Sequence, residues 1–340
     1  MRGGRRGARL HPFRDFAKVS NRSSSLALQR RIVDFSAERS FQSTAIALKE
    51  HYRIEVPVYA IDKATAVIAK QSKHFNSQAP EGIKPVDILI SEVDGSMLPI
   101  VHFGEETTDG QVAKRSDRRK HRQCHWKEIR VSTVRIPGSV DTWYGVALGE
   151  PLSVGCMMLE CCKFKGMHSD THIHAIADGA SWIANQYDLQ FGTRCKFHID
   201  FWHACDYLVA AAKSTTMSDK ERKCWFETQK ESLRASKVKT VLATLGDLAE
   251  AKGGEDENEP ITTTISYFKK RENQFDYADA IRRELPIGSG EVESAHRHIL
   301  QKRLKIPGAW WRLERAEEMA QLRAMRANGR WNDFWQKKAA

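Results

Sequence analysis

Five short apolar runs constrain this chain more than any other feature. They are Val86-Asp-Ile-Leu-Ile-Ser-Glu-Val93, Trp126 to Ile136, Trp143 to Leu148, Thr171-His-Ile-His-Ala-Ile-Ala177 and Lys196-Phe-His-Ile199. Each is rich in β-branched or aromatic residues and short enough for a strand. Residues 150–166 and a segment opening at Ser181 have helical spacing and fall between the later runs. Strands in sequence, followed by strands alternating with helices, predict an α/β or α+β sheet domain. From Phe201 to about Arg283 the pattern is helical only, broken by the acidic loop Gly253 to Pro260.

Before the sheet, Leu28, Ile32 and Phe35 recur at helical spacing, Ser43 to Tyr52 reads as a second helix, and Ala60, Ala64, Val67 and Ile68 as a third. Two helices, a turn and a third helix make the outline of a helix-turn-helix unit, an outline that other small helical bundles share. Residues 1–25 are rich in Arg, Gly and Ser, as expected of a disordered basic tail. Ser72 to Lys84 reads as a polar linker, and Trp310 to Trp335 as a basic, Trp-bearing helical tail.

The formal charge is +11 and the pI about 9.3, which points to a polyanionic partner, most commonly nucleic acid. A ribosome-associated or membrane-surface protein shares that balance. No run of about twenty apolar residues occurs, so no membrane span is expected. The basic N-terminus lacks the apolar core of a secretory signal, although an organellar transit peptide shares its composition. Seven cysteines, an odd number with no C-x-x-C, suit a reducing compartment better than a disulfide framework. His121 and Cys124-His125 are spaced poorly for zinc and read as surface residues of a basic loop.

Three acids stand out. Asp94 and Asp178 each follow an apolar strand and precede Gly, which would set each carboxylate on a tight turn at the sheet's end. Glu293 opens a helix after the Gly288-Ser289-Gly290 turn, with Ser289 the expected N-cap. Hard divalent cations take oxygen ligands, and Mg²⁺ takes one or two carboxylates plus substrate phosphate. A pair of such ions, about 3.5–4 Å apart, serves in-line displacement at phosphorus. Either Asp-Gly taken singly is equally a plain turn. Asp200 also follows a strand and competes with Asp178. Glu291 competes with Glu293, but residues two apart on a helix point about 200° apart, so only one can face the ions; Glu291 is accounted for as a first-turn acid complementing the helix dipole.

The strings Val93-Asp94-Gly95-Ser-Met, Ala177-Asp178-Gly179-Ala-Ser-Trp182-Ile, Ile199-Asp200-Phe-Trp-His203 and Pro286-Ile-Gly-Ser-Gly-Glu-Val-Glu293-Ser resemble bacterial insertion-sequence transposases of the Kra type, relatives of the Mutator-like DDE transposases. The resemblance runs from about Val86 to Trp335 and takes in Lys302-Arg303-Leu304-Lys305, Gly308, Trp311, Leu322-Arg323-Ala324 and Trp331. It implies a ribonuclease-H-like core interrupted by an all-helical insertion. The expected division is a tail (1–25), a helical DNA-binding-like segment with linker (26–80), the first part of the core (85–203), the insertion (204–284), and the glutamate helix with basic C-terminal helices (285–340). It also implies a triad of Asp94, Asp178 and Glu293 holding two Mg²⁺ (or Mn²⁺) ions, with Asp200 and His203 as an auxiliary signature near the site. Such members usually carry a longer, cysteine-bearing N-terminal region, where this chain has the short basic helical segment.

The activity implied is metal-dependent cleavage and strand transfer of DNA, with transposon ends and target DNA as partners, a homo-oligomer on DNA, and a cytoplasmic, nucleoid-associated location. Phosphate contacts are expected from Lys114, Arg115, Arg118, Arg119 and Lys120 of the basic loop and from Arg297, Lys302, Arg303 and Lys305; the other account is a solvated charged surface. Trp182, Trp202 and Trp311 are candidates for stacking on bases or for core packing. Two rival functions remain: a DNA-binding protein with a silent catalytic relic, and a two-carboxylate hydrolase such as a glycosidase, against which the charge argues.

Overall fold

The computed structural model describes residues 24–103, 122–252 and 259–339. The elements follow in the order α1 (Leu26–Ser36), α2 (Phe41–Tyr52), α3 (Val58–Asn76), β1 (Ile88–Phe103), β2 (Arg122–Arg135), β3 (Thr142–Ala147), α4 (Pro151–Phe164), β4 (His172–Ala177), α5 (Ser181–Phe191), β5 (Cys195–Ile199), α6 (Phe201–Lys213), α7 (Asp219–Arg234), α8 (Val238–Lys252), α9 (Pro260–Lys269), α10 (Tyr277–Arg282) and α11 (Gly290–Ala295). A π-helical stretch, His296–Gln301, leads into Lys302–Leu304, and α12 (Leu313–Ala327) and α13 (Trp331–Ala339) close the chain. The fold is α/β with a mixed five-stranded sheet.

The chain divides into two compact units. Of the described residues, one comprises 24–78, 99–103, 122–125 and 299–339, the other 79–98, 126–252 and 259–298. The stretch 285–340, expected as one piece, is therefore shared: it belongs to the sheet unit up to His298 and to the helical unit from Ile299.

In the helical unit, α1 and α2 are N-capped by Ser25 and Ser40, whose hydroxyls accept from Leu28 N and Ser43 N. Ile32, Leu48 and Ile61, one from each of α1 to α3, bury together beside Phe35 and Phe41. Lys63 and Lys70 stay exposed on α3. The α12 helix contributes buried cations rather than a solvated basic face. Arg323 Nε donates to Ile299 C=O at 2.7 Å, and Arg326 pairs with Asp34 at 2.6 Å. Trp311 joins this unit by backbone bonds to Pro99 and Val101.

In the sheet unit the strand order is β3-β2-β1-β4-β5. The β1–β4 and β4–β5 pairs are parallel and β2–β3 is antiparallel. One face packs on α4 and α5 through Leu89, Val93, Met158, Ala175 and Tyr187. The other is covered from Ile88 and Ile90 by Ala280, Leu285 and Ile287. Helices α6 to α10 have a core of their own, including Phe201, Leu208, Leu233, Val241, Phe268 and Tyr277.

The first strand does not end at Asp94-Gly95 as expected; it continues to Phe103. A Cβ on Gly95 would come within 2.0 Å of Glu128 Oε1 on β2. The glycine therefore marks a close approach inside a strand instead of a turn.

Candidate active site

Pairing register decides which carboxylates meet. Along β1 and β4 the paired residues run from Ile88↔His172 to Glu92↔Ile176, and along β4 and β5 from Ile173↔Cys195 to Ala177↔Ile199. Carried past the strand ends, the same register sets Asp94 opposite Asp178 and Asp178 opposite Asp200. On the β4–β5 side the last rung is closed by Asp200 N, which donates to Ala177 C=O at 2.7 Å. Parallel strands lie about 4.8 Å apart and registered residues share a face. The register therefore aligns the three aspartates across the sheet, Asp178 and Asp200 just past the ends of β4 and β5 and Asp94 within β1.

That row lies on the face covered by the segment leading into α11. His174 Nε2 donates to Pro286 C=O at 2.7 Å, and Val292 N donates to Glu92 Oε2 at 2.9 Å. The inward face of α11 and its continuation is Val292, Ala295, His296 and Ile299, all buried. At about 100° per residue, Glu293 and Glu291 flank Val292 on opposite sides. Ser289 and His296 lie on the Glu293 side. Ser289 donates to Asp200, and His296 Nε2 lies 3.3 Å from Asp94 Oδ2. Glu291 turns the other way, its Oε1 accepting from Thr142 Oγ1 at 3.5 Å. Its side chain is half-buried, whereas Glu293 is exposed.

Each aspartate is held differently. Asp94 Oδ1 accepts from Gly95 N at 2.7 Å. The approach of Asp94 to His296 is close but lacks hydrogen-bond geometry, for both ring nitrogens of the buried His296 are without a bonded partner. Asp178 Oδ1 accepts from Ala180 N at 2.9 Å, and its carbonyl accepts from Tyr267 Oη at 2.8 Å. Arg271, stacked on Tyr267, donates from Nε to Gly179 C=O at 2.8 Å. Gly179 has φ +84° and so forms a genuine turn after β4.

Asp200 is 5% exposed and fully occupied. Oδ1 caps α6 by accepting from His203 N, and Oδ2 accepts from both the amide and the hydroxyl of Ser289. Ser289, expected as the N-cap of α11, makes no cap bond there because its hydroxyl is spent on Asp200. His203 is half-buried and packs edge-on to Tyr207 and Tyr267.

Two buried groups escaped the reading of the sequence. Glu92 is 1% exposed, and burial pushes its carboxyl up to about 7 against the lowering effect of the Val292 N–H. An acid inside the run Ile88 to Val93 was the available sign. His296 had one too, the three-residue spacing from Glu293 that stacks side chains on one helix face.

Lys114, Arg115, Arg118, Arg119 and Lys120 lie outside the described residues. Arg297 is exposed, and Lys302 is exposed and paired with Glu38 at 3.2 Å. Lys305 is half-buried, and burial lowers its ammonium pKa. Arg303 was expected to contact phosphate, but it is 2% exposed, and its Nε donates to Ser36 C=O at 2.8 Å. Trp311 is likewise buried, while Trp202 is exposed and lies against Gly288. Trp182 stacks under Arg130 at 4.5 Å.

Among the described residues no group of three or more His, Cys, Asp or Glu is arranged to hold a metal ion. Asp94 and Asp178 are the adjacent pair that could share one, with Glu293 on the nearer side of the covering helix. No described helix is long and apolar enough to cross a membrane. No protein-family model and no curated protein matches the chain.

Proposed function

We propose that the chain is a DDE-type DNA transposase with a ribonuclease-H-like core, in which Asp94, Asp178 and Glu293 hold Mg²⁺ or Mn²⁺. The single observation that carries the proposal is the β1–β4 register, which carried forward aligns Asp94 with Asp178 beneath α11, where Glu291 is engaged by Thr142 and Glu293 is exposed. The mixed sheet with β1 central, and the helices α6 to α10 inserted ahead of α11, support the core. Mg²⁺ takes one or two carboxylates and leaves positions for phosphate oxygens, which the Asp94–Asp178 pair fits. When bound, such ions lower the pKa of an attacking oxygen and stabilise charge at phosphorus. The protein's own part is positioning. Asp200 secures the Gly288–Gly290 turn ahead of Glu293, and Tyr267 and Arg271 secure the Asp178-Gly179 turn. A net charge of +11 supports DNA as the substrate, with oligomers forming on transposon ends and target.

A catalytically silent DNA-binding descendant is the second reading. The approach of His296 to Asp94 favours it, since the buried ring takes up space beside the carboxylate that a cation would need. Nicking of labelled DNA carrying the inverted repeats that flank the gene, with Mn²⁺, separates the two. Asp94→Ala, Asp178→Ala and Glu293→Ala should each abolish nicking, while Glu291→Ala retains it. An inactive wild-type chain that still binds the repeats supports the silent reading. Nicking that survives Asp178→Ala and Glu293→Ala sinks the transposase assignment of these residues.

A further inference from the structure

The helical unit contains a cleft of about 780 Å³ that shares no residue with the aspartate row. Its floor is rigid. The Arg303 guanidinium lies between the rings of Phe41, at 4.9 Å, and Trp311, at 4.8 Å. Trp311 is pinned in turn, with Nε1 donating to Leu304 C=O at 3.0 Å and its backbone bonded to Pro99 and Val101. The walls are different. Tyr59, in the first turn of α3, is 75% exposed, and Trp310, after the Pro307-Gly308 turn, is 40% exposed. Exposing two large aromatic rings at one concavity is unfavourable in water, and such rings are characteristic of recognition sites.

Charge narrows the ligand. Three arginines, Arg303, Arg312 and Arg315, line the cleft against one acid, Asp62. Arg303 is buried and Arg315 half-buried, while Arg312 is exposed to solvent at the start of α12. Flat apolar walls beside an excess of cation suit a ligand that is flat at one end and anionic at the other. The volume falls in the range of about 300–1,000 Å³ typical of small-ligand sites.

We propose that this cleft binds an unstacked nucleotide of single-stranded nucleic acid, its base against Tyr59 and Trp310 and its phosphate towards Arg312. Base–aromatic stacking tolerates any base, and the phosphate contact adds a salt-dependent part. Whether Asp94, Asp178 and Glu293 are catalytic has no bearing on this site.

The test is equilibrium binding by the full chain in EDTA, where no metal-dependent cleavage contributes. Fluorescence anisotropy would follow an end-labelled oligothymidylate of about eight nucleotides, an abasic strand with the same phosphates, and a proline-rich peptide, the other ligand aromatic grooves take. The oligothymidylate should bind more tightly than the abasic strand. Tyr59→Ala and Trp310→Ala should each weaken it by about 5- to 150-fold, the range spanned by loss of one stacked base, and leave the abasic strand unaffected. Tyr59→Phe should restore binding to within about 3-fold of wild type, because the ring alone carries the stack. Both side chains are exposed, so circular dichroism should show the variants folded. Equal affinity for the abasic strand, unchanged binding in both alanine variants, or binding of the peptide in place of the oligonucleotide would each overturn the proposal.

Discussion

Replacing Asp200 by alanine should unfasten the turn that leads into α11. The carboxylate is 5% exposed and accepts three hydrogen bonds, from His203 N at 2.7 Å, Ser289 N at 2.5 Å and Ser289 Oγ at 2.7 Å. Losing the α6 cap costs about 1 kcal/mol. The Ser289 amide and hydroxyl, in a residue 9% exposed, are left with buried donors unmatched, at about 1–3 kcal/mol each. Allowing for partial relaxation, Asp200→Ala should destabilise the chain by about 3–4 kcal/mol, a large share of the ~5–15 kcal/mol that natural domains possess. Asp200→Asn keeps a capping oxygen but loses the charge and must point its amide at one set of donors; about 1–2 kcal/mol is expected. Ser289→Ala removes donor and bond together and should cost about 1.5 kcal/mol. The double variant should fall short of the sum by about 1 kcal/mol, because the orphaned hydroxyl is then absent. Urea unfolding of the full chain gives the free energies, and hydrogen exchange of residues 285–296 gives the location. Strict additivity, a cost for Asp200→Ala below about 1 kcal/mol, or faster exchange only outside those residues would refute the clamp.

Glycine contacts yield a paired prediction. A Cβ at Gly179, where φ is +84°, would lie 2.6 Å from Tyr267 Oη, so Gly179→Ala should cost about 2 kcal/mol in urea unfolding. Gly95→Ala meets only the movable end of the Glu128 side chain and should cost under about 1 kcal/mol. For Arg303→Ala the loss should appear in stability, about 3 kcal/mol from the unmatched Ser36 carbonyl and the lost ring contacts, measured by thermal unfolding. Its slope of DNA affinity against salt should stay that of wild type, whereas Arg297→Ala should reduce that slope by about 1. Burial lowers the His174 pKa to about 4, the neighbouring His198 adding to the effect. The unfolded chain then takes up the proton first, so stability present above about pH 6.5 is lost as pH falls towards 4, by about 3 kcal/mol in all. His174→Gln, which keeps a donor for Pro286 C=O, should flatten the acid limb of a stability–pH curve, and an unchanged limb would clear His174 of responsibility.

How far the chain could be read in advance differs from one element to the next. The β4 strand, its stop at Asp178-Gly179 and the helices from Leu26 to about Gln71 were legible, because apolar period and a positive-φ glycine are local signals, whereas α3 runs on to Asn76 through residues expected as linker. The same dipeptide misled at Asp94-Gly95. There glycine answers to Glu128 on the next strand, a contact invisible from its sequence neighbours. Ser289 stands at the N-cap position its neighbours point to but makes no cap bond, and Arg303 sits among cations that suggest a phosphate ligand. Asp200 claimed the first, and the rings of Phe41 and Trp311 enclosed the second.

Composition and periodicity alone determined that this is a basic chain with an α/β sheet, carboxylates after the strands that end at Ala177 and Ile199, and a run of helices ahead of the Gly288-Ser289-Gly290 turn. Those properties depend on near neighbours, whose spacing is written in the sequence. Tertiary structure alone decided that the register of β1, β4 and β5 aligns Asp94, Asp178 and Asp200, that Asp200 is consumed by Ser289, and that Glu291 is engaged by Thr142. Strand register and the rotation of a helix about its axis are set by which distant surfaces bury together, and a shift of one residue in either exchanges the faces.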